Sequence, residues 1–419
     1  MPTTKKHIIL VNYDFPPNKG IGGRRWGKLA KEFAEQNCIV HVVKAEAISD
    51  TDKSVWSEEV NNKNIFVHSL PRVYPNILLI QPKSFLEKLQ YRKALNSVKK
   101  NFKGTPYDIS LGWEKVLVPM LNDLVKKFPV EWIFATGAPW DMLRAVAEWK
   151  IENPEIKYWA DFRDPWLNAR NYGMPFLSPE KMKEEVQKAS SVIQNATVLS
   201  APAMQILEHF SSLNLISAKN KKFFHLKHFH SEPKLTEQSF GFSSTNITVE
   251  YGGEIYLDTE PYLEQMAKEL TKLREFDPAL YERLNINFHS NSFEKIQSIF
   301  KYHPCVRISD SIGKKIEDRI AQAQWCIILL ADHNKDFFTT KYFEYQTLGT
   351  PYLYLGAKGE VLQSIEQENR GTTWENFFQS LMKNDPLNPK EFNQEANESN
   401  SLSHRVSEML EHIKSFNNS

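Results

Sequence analysis

The sequence predicts two doubly wound α/β domains in one chain, on three observations. The chain has 419 residues, more than one ordinary core holds and enough for two domains of about 200 residues each. Short apolar runs alternate with helical patterns in both halves, which implies parallel sheets built from right-handed crossovers. A polar segment at 234–246 (KLTEQSFGFSSTN) separates the two series.

The first series opens with a strand at His7–Tyr13, a Pro- and Gly-bearing loop at Asp14–Gly23 and a helix at Arg24–Gln36. In that helix Trp26, Leu29, Ala30, Phe33 and Ala34 recur at helical spacing. Strands follow at Ile39–Val43, Ile65–Ser69, Asp108–Leu111, Trp132–Ala135, Tyr158–Asp161 and Ala196–Leu199, with a helix at Asp141–Lys150. The second series alternates strands at Ile247–Tyr251, Leu284–His289, Val306–Ile308, Trp325–Leu330 and Tyr352–Leu355 with helices at Pro261–Arg274, Phe293–Tyr302, Ile312–Ala323 and Tyr342–Thr347. The expected organisation is a Rossmann-like domain over 1–233, a linker at 234–246 and a second Rossmann-like domain over 247–383. A polar loop at 384–400 and a terminal helix at 401–416, expected to pack back on the first domain, complete it. Ligands of such sheets bind beyond the carboxyl ends of the strands, so a cleft between two such domains is the expected site.

Composition narrows the function. Lys plus Arg is 52 and Asp plus Glu 51, a net charge of +1 that argues against a general nucleic-acid binder. The longest apolar run, Trp325–Ala331, has seven residues, far short of the roughly 20 that span a bilayer. Three cysteines with no C-x-x-C spacing, all in apolar runs, fit a reducing cytoplasm.

Glycine is scarce at 16 residues, yet Gly20, Gly22 and Gly23 fall within four positions, between the first strand and its helix. Glycines there let backbone approach a ligand, and the helix N-terminus offers N–H groups to an anion; a ligand-free tight turn is the alternative. No acid follows at the end of the second strand, where Lys44 stands, so a nicotinamide dinucleotide is not indicated. A second cluster, Asp161-Phe162-Arg163-Asp164, ends a strand with two carboxylates and a guanidinium. Alternation puts Asp161 and Arg163 on one side, suited to a phosphate, to sugar hydroxyls or to a structural ion pair. In the third, Lys341 and Glu344 share a helix face three residues apart, suited to a phosphate and a ribose or to a surface ion bridge.

Taken in order, YDFPP…GIGGRR, DFRDPW, YGGEIY and KYFEY…LGTPYLYLG resemble a bacterial family-4 glycosyltransferase of the GT-B fold, nearest to the surface-polysaccharide branch, over most of residues 7–371. The resemblance implies a retaining, metal-independent transfer from a nucleotide-diphosphate sugar to a glycan or lipid-linked acceptor, with no other cofactor. It assigns Glu344 to the nucleotide ribose, sets Gly22 and Gly23 facing the donor phosphates and the acceptor, puts Lys341 and also Arg163 beside the diphosphate, and adds Gly253 and Thr340 to the nucleotide-binding residues. It places Asp336, eight positions before Glu344 where the family often has glutamate, near the donor sugar. Asp161, Arg163 and Asp164 become the catalytic candidates. A sugar-nucleotide epimerase on the same fold and a non-catalytic nucleotide-sugar or glycan-binding protein are the alternatives.

His225, His228 and His230 stand close together, but no acid or cysteine accompanies them at ligand spacing, and no metal is expected. The segment 83–103 carries seven cations (Lys83, Lys88, Arg92, Lys93, Lys99, Lys100, Lys103) against Glu87 alone. Its apolar Phe85, Leu86, Leu89, Leu95, Val98 and Phe102 recur at three- and four-residue steps. It reads either as a surface helix with its apolar face on the core or as a helix lying on an anionic membrane, on the inner face of the plasma membrane.

Overall fold

The computed structural model describes residues 5–18, 21–48, 60–213, 215, 223–231, 246–310 and 315–416. The chain divides into two compact units, Met1–Lys227 with Val406–Ser419, and His228–Arg405.

In the first unit the chain runs β1 (Lys6–Val11), α1 (Ile21–Glu35), β2 (Cys38–Ala45), β3 (Ile65–Leu70), α2 (Phe85–Asn101), α3 (Glu114–Lys127) and β4 (Val130–Gly137). It continues through α4 (Asp141–Glu152), β5 (Lys157–Phe162), α5 (Pro179–Asn195), β6 (Val198–Ala201), α6 (Met204–Ser212) and β7 (Phe223–His225). The seven strands pair in the order β3-β2-β1-β4-β5-β6-β7, every pair parallel. The second unit runs β8 (Ile247–Gly252), α7 (Glu260–Phe276), α8 (Pro278–Glu282), β9 (Leu284–His289), α9 (Phe293–Ile299), β10 (Val306–Ser309) and α10 (Lys315–Gln322). Then come β11 (Trp325–Leu329), α11 (Thr340–Gln346), β12 (Tyr352–Leu355), α12 (Glu360–Gln367), β13 (Gly371–Thr373) and α13 (Trp374–Met382). Its six strands pair as β10-β9-β8-β11-β12-β13, again all parallel. The two sheets follow one plan, and in each the order reverses beside the first strand, at β1/β4 and at β8/β11. At such a reversal the neighbouring crossovers leave in opposite directions and open a crevice at the strand ends.

The apolar runs form strands because both faces of each sheet are covered. In β11, Trp325 and Ile327 enter one cluster with Val249, Ile286, Leu263 and Phe377, while Cys326 and Ile328 enter another with Tyr342, Tyr345, Val361 and Ile365. The terminal helix α14 (Leu402–Ser415) returns to the first unit. Phe416 meets the Trp132 ring at 5.8 Å, His412 meets Trp159 at 5.7 Å, and Lys157 Nζ donates to the Phe416 carbonyl at 2.9 Å.

Several expectations are corrected. Asp108–Leu111 is a turn, not a strand: Asp108 is buried and its carboxylate accepts from the Ser110 amide and hydroxyl at 2.9 and 2.6 Å, holding the backbone out of any ladder. The first helix begins at Ile21, so Gly22 and Gly23 belong to its first turn rather than to the preceding loop. The strands β7 and β13 are short and carry no alternating pattern long enough to read. Gly20, the residues 311–314 of the helix expected at Ile312–Ala323 and all of the 234–246 linker but Asn246 lie outside the described residues.

Candidate functional site

In the second unit the site is built at the end of β8. Strand pairing carries the backbone to Gly252, and the Gly253 amide donates to the His289 carbonyl at 3.0 Å. Gly253 has φ 144°, a conformation that side chains rarely adopt, and a Cβ there would overlap Lys341 Nζ. The absent side chain is the path of the lysine. Lys341, in the first turn of α11, crosses it to lie over the Tyr251 ring, 4.5 Å from the centroid and 3.3 Å from the phenol oxygen. Desolvation lowers its pKa to about 8 against the opposing pull of Tyr256, Glu254 and Glu344.

Glu344 lies three residues on in α11, half-buried, with Thr340 as the first residue of that helix. Asp336 has a local duty: its Oδ1 accepts from the Glu360 amide at 2.9 Å and so caps α12. Glu254, the acid in the Gly252-Gly253-Glu254 turn, binds the Asn291 and Ser292 side chains at 2.7 and 2.8 Å and ties the turn to the loop after β9.

Beside these residues runs a polar relay absent from the sequence reading. Buried Glu250 stands 2.7 Å from His289 Nε2 through Oε2 and accepts from Asn287 at 2.8 Å through Oε1, while His289 Nδ1 stands 2.7 Å from Ser309 Oγ. Burial pushes the Glu250 carboxyl above its ordinary range, against both bonds. An acid inside the apolar stretch ITVEYG, together with a histidine ending the next strand, was the available signal.

In the first unit, Asp161 and Arg163 do project to one side, and both meet α1, four residues apart along it. Asp161 is fully buried; its Oδ2 accepts from Trp26 Nε1 at 2.9 Å and Thr136 Oγ1 at 3.0 Å, and its Oδ1 from Ser200 Oγ at 2.7 Å. This corrects its assignment as a catalytic residue: with no exposure and three donors, it is a strut joining α1 to β4, β5 and β6. Arg163 lies across Gly22, where a Cβ would overlap Nη1, and binds Asp164 Oδ2 through Nε at 3.1 Å and Nη2 at 3.0 Å. Asp164 remains 47% exposed at the side chain. Gly23 packs on the Asp14 carbonyl, fixing the start of α1. Arg72 pairs with Asp14 at 3.2 Å at the same strand edge.

His225 and His230 have different partners. His225 ends β7 with Nε2 3.0 Å from the Pro202 carbonyl, whereas His230, in the second unit, is held between the Ser231 and Asn397 carbonyls, each at 2.9 Å. Among the described residues no group of three or more His, Cys, Asp or Glu is placed to hold a metal ion, and no helix is long and apolar enough to cross a membrane. Cys38, Cys305 and Cys326 are buried and unbridged.

No family model matches the chain, and no curated protein matches it in sequence. Solved structures do match in fold. A glycosyltransferase from Rickettsia africae aligns at TM-score 0.59 and 11% identity, over 98% of this chain and 98% of its own. A trehalose-6-phosphate protein from E. coli, bound with UDP-2-fluoro glucose, aligns at TM-score 0.56 and 11% identity, over 98% of this chain and 96% of its own. A protein named as a UDP-N-acetylglucosamine 2-epimerase, from Listeria monocytogenes, aligns at TM-score 0.51 and 13% identity, over 98% and 96%. Together with the two parallel sheets, these likenesses give the chain the two-domain α/β fold of GT-B glycosyltransferases.

Proposed function

We propose that the protein is a retaining glycosyltransferase that moves a sugar from a nucleotide-diphosphate donor to a glycan or lipid-linked acceptor in surface-polysaccharide assembly. The observation that carries the reading is Lys341, drawn over Gly253 onto the Tyr251 ring at the strand-order reversal of the second sheet, with Glu344 one helical turn away. A desolvated ammonium at that crevice suits a diphosphate, and a neighbouring carboxylate suits the hydroxyls of a ribose.

In this reading the second unit holds the donor. Glu344 accepts from the ribose hydroxyls, Thr340 and the Gly253 backbone border the phosphates, and Lys341 neutralises the diphosphate as the anomeric carbon–oxygen bond breaks. The new bond forms from the acceptor oxygen on the same face of the sugar, and the acceptor's proton passes to the departing diphosphate oxygen. The first unit presents the acceptor side: first-turn amides at Gly22 and Gly23, the Arg163 guanidinium and Asp164, which unlike the buried Asp161 is exposed and takes the acceptor hydroxyl in this reading. A lipid-linked acceptor brings the enzyme to the inner face of the plasma membrane, and the first unit carries a helix suited to that surface.

The test is thermal stabilisation by UDP, GDP, dTDP, ADP and CMP, followed by incubation of the stabilising nucleotide's sugars with candidate acceptors. One nucleotide should stabilise the protein, and Glu344→Ala should abolish the shift; equal stabilisation of Glu344→Ala would sink the assignment. The likeness to a protein named as an epimerase favours one second reading, isomerisation of the donor sugar. Nucleotide release that requires acceptor supports transfer, whereas a changed sugar still attached to its nucleotide supports the epimerase.

A further inference from the structure

We infer that the outward face of α2, with Ile80 just before it, docks on the surface of an anionic lipid bilayer. The surface stands on its own chemistry; only its purpose, meeting a lipid-linked acceptor, rests on the transferase reading.

The helix presents an apolar face to solvent. Of its 17 residues only Val98 is buried, in a small cluster with Tyr74 and Leu111. By contrast Phe85 is 80% exposed, Leu86 68%, Ile80 48% and Leu89 43%. At about 100° per residue, Phe85, Leu86 and Leu89 point away from Val98, and Arg92, Lys93 and Lys100 continue the same outward face toward the C-terminus. An apolar tip thus leads into a cationic stripe. The reading of this helix as an ordinary amphipathic element with its apolar residues on the core therefore fails for the first two turns.

Charge selects the occupant. The segment 83–103 holds seven cations and a single acid, and that acid is engaged with backbone. Glu87 Oε2 accepts from the Lys83 and Ser84 amides at 2.7 and 2.9 Å, while Ser84 Oγ accepts from the Glu87 amide at 3.2 Å, a reciprocal cap on the helix start. A second copy of this face would oppose like charges. A bilayer with anionic headgroups supplies both complements: hydrocarbon for Phe85, Leu86 and Leu89, and negative charge for Lys88, Arg92 and Lys93.

Position fits as well. Tyr74, in the cluster beneath α2, donates its hydroxyl to the Pro106 carbonyl at 2.8 Å, and the Asp108 carboxylate two residues on accepts from the Trp140 and Asp141 amides beyond the end of β4 at 2.8 and 2.9 Å. The helix therefore stands at the carboxyl edge of the first sheet, the edge that carries Arg163 and Asp164.

The full chain should co-sediment with phosphatidylcholine vesicles containing about one-third phosphatidylglycerol, less well as salt rises, and not with phosphatidylcholine alone. Two variants probe the two halves of the face: Phe85→Ser/Leu86→Ser/Leu89→Ser and Lys88→Glu/Arg92→Glu/Lys93→Glu. All six positions are exposed, so folding should survive, checked by an unchanged melting temperature. Each cation near the surface is worth about fivefold in affinity, and each buried apolar side chain is worth at least as much, so each triple variant should lose binding at least tenfold. Wild-type binding in either triple variant, failure of the wild type to sediment, or a wild-type dimer that the apolar triple variant dissolves would overturn the proposal. Vesicle binding without stabilisation by any nucleotide would leave the docking surface standing and remove the donor reading instead.

Discussion

Each unit lays a cation across a glycine at the carboxyl edge of its sheet, and the two differ in what then holds the cation. In the first unit Arg163 crosses Gly22, within the first turn of a helix, and is neutralised by two bonds to Asp164. In the second, Lys341 crosses Gly253, whose φ of 144° few other residues adopt, and comes to rest on the face of Tyr251. A guanidinium forked onto its neighbouring carboxylate is satisfied before any ligand arrives. An ammonium resting on a phenol ring, with burial lowering its pKa to about 8, gains far more when an anion reaches it. The same device thus gives a braced cation in one unit and a poised one in the other.

The strongest way to break the comparison is to remove the brace beneath the first. Asp161→Ala leaves the Trp26, Thr136 and Ser200 donors without their acceptor in a site with no access to water. At roughly 1–3 kcal/mol per stranded group, the first unit should lose at least about 3 kcal/mol in urea unfolding. Asp161→Asn, which keeps one acceptor oxygen, should lose less.

Next comes the poised cation. Lys341→Met should weaken the stabilising nucleotide about 10- to 100-fold by calorimetry, the range of one charge-assisted contact, with little loss of stability. The pH dependence has a definite sign. With a free-state pKa of about 8 and a bound-state pKa raised by the diphosphate, affinity should be full below pH 8 and fall as pH rises above it. Lys341→Arg, charged throughout, should flatten that fall, and an unchanged slope in it would remove Lys341 from the phosphate site.

The glycines themselves rank third. Gly253→Ala places a residue in a strained conformation and displaces Lys341, so a stability cost of about 1–3 kcal/mol should come with weaker nucleotide binding. Gly22→Ala meets only the movable end of Arg163 and replaces a helical glycine, so its stability should fall between unchanged and about 1 kcal/mol better. Equal costs at the two positions would mean that backbone conformation does not separate them.

The strand-and-helix alternation was legible because each strand is short, apolar and covered on both faces; WCIILL declared itself by composition alone. The glycine at 253, the lysine at 341 and the glutamate at 344 were legible as residue types at spacings. What escaped the sequence was partnership. Nothing local says that Asp161 meets Trp26, 135 positions away, or that Lys341 meets Tyr251, 90 positions away. DFRDPW offers two acids alike in type, and only burial separates the strut from the exposed one. The Glu250–His289–Ser309 relay is spread over three strands for the same reason. For α2 the apolar spacing left a core-facing stripe and a membrane-facing one both open, because spacing does not record whether a neighbour exists to cover it.

The smallest expected effect bears most finely on the comparison. Asp164→Asn removes one charge from an exposed, adjacent-residue pair, and such pairs contribute under about 1 kcal/mol, so unfolding should be nearly unchanged. On the proposed reading the donor is held by the second unit, so the nucleotide-induced thermal shift should also match the wild type. If Asp164 meets the acceptor hydroxyl, the acceptor-dependent rate should fall while both other readouts hold. If it serves only to brace Arg163, Asp164→Asn should transfer sugar at the wild-type rate, because an asparagine oxygen still accepts from the guanidinium.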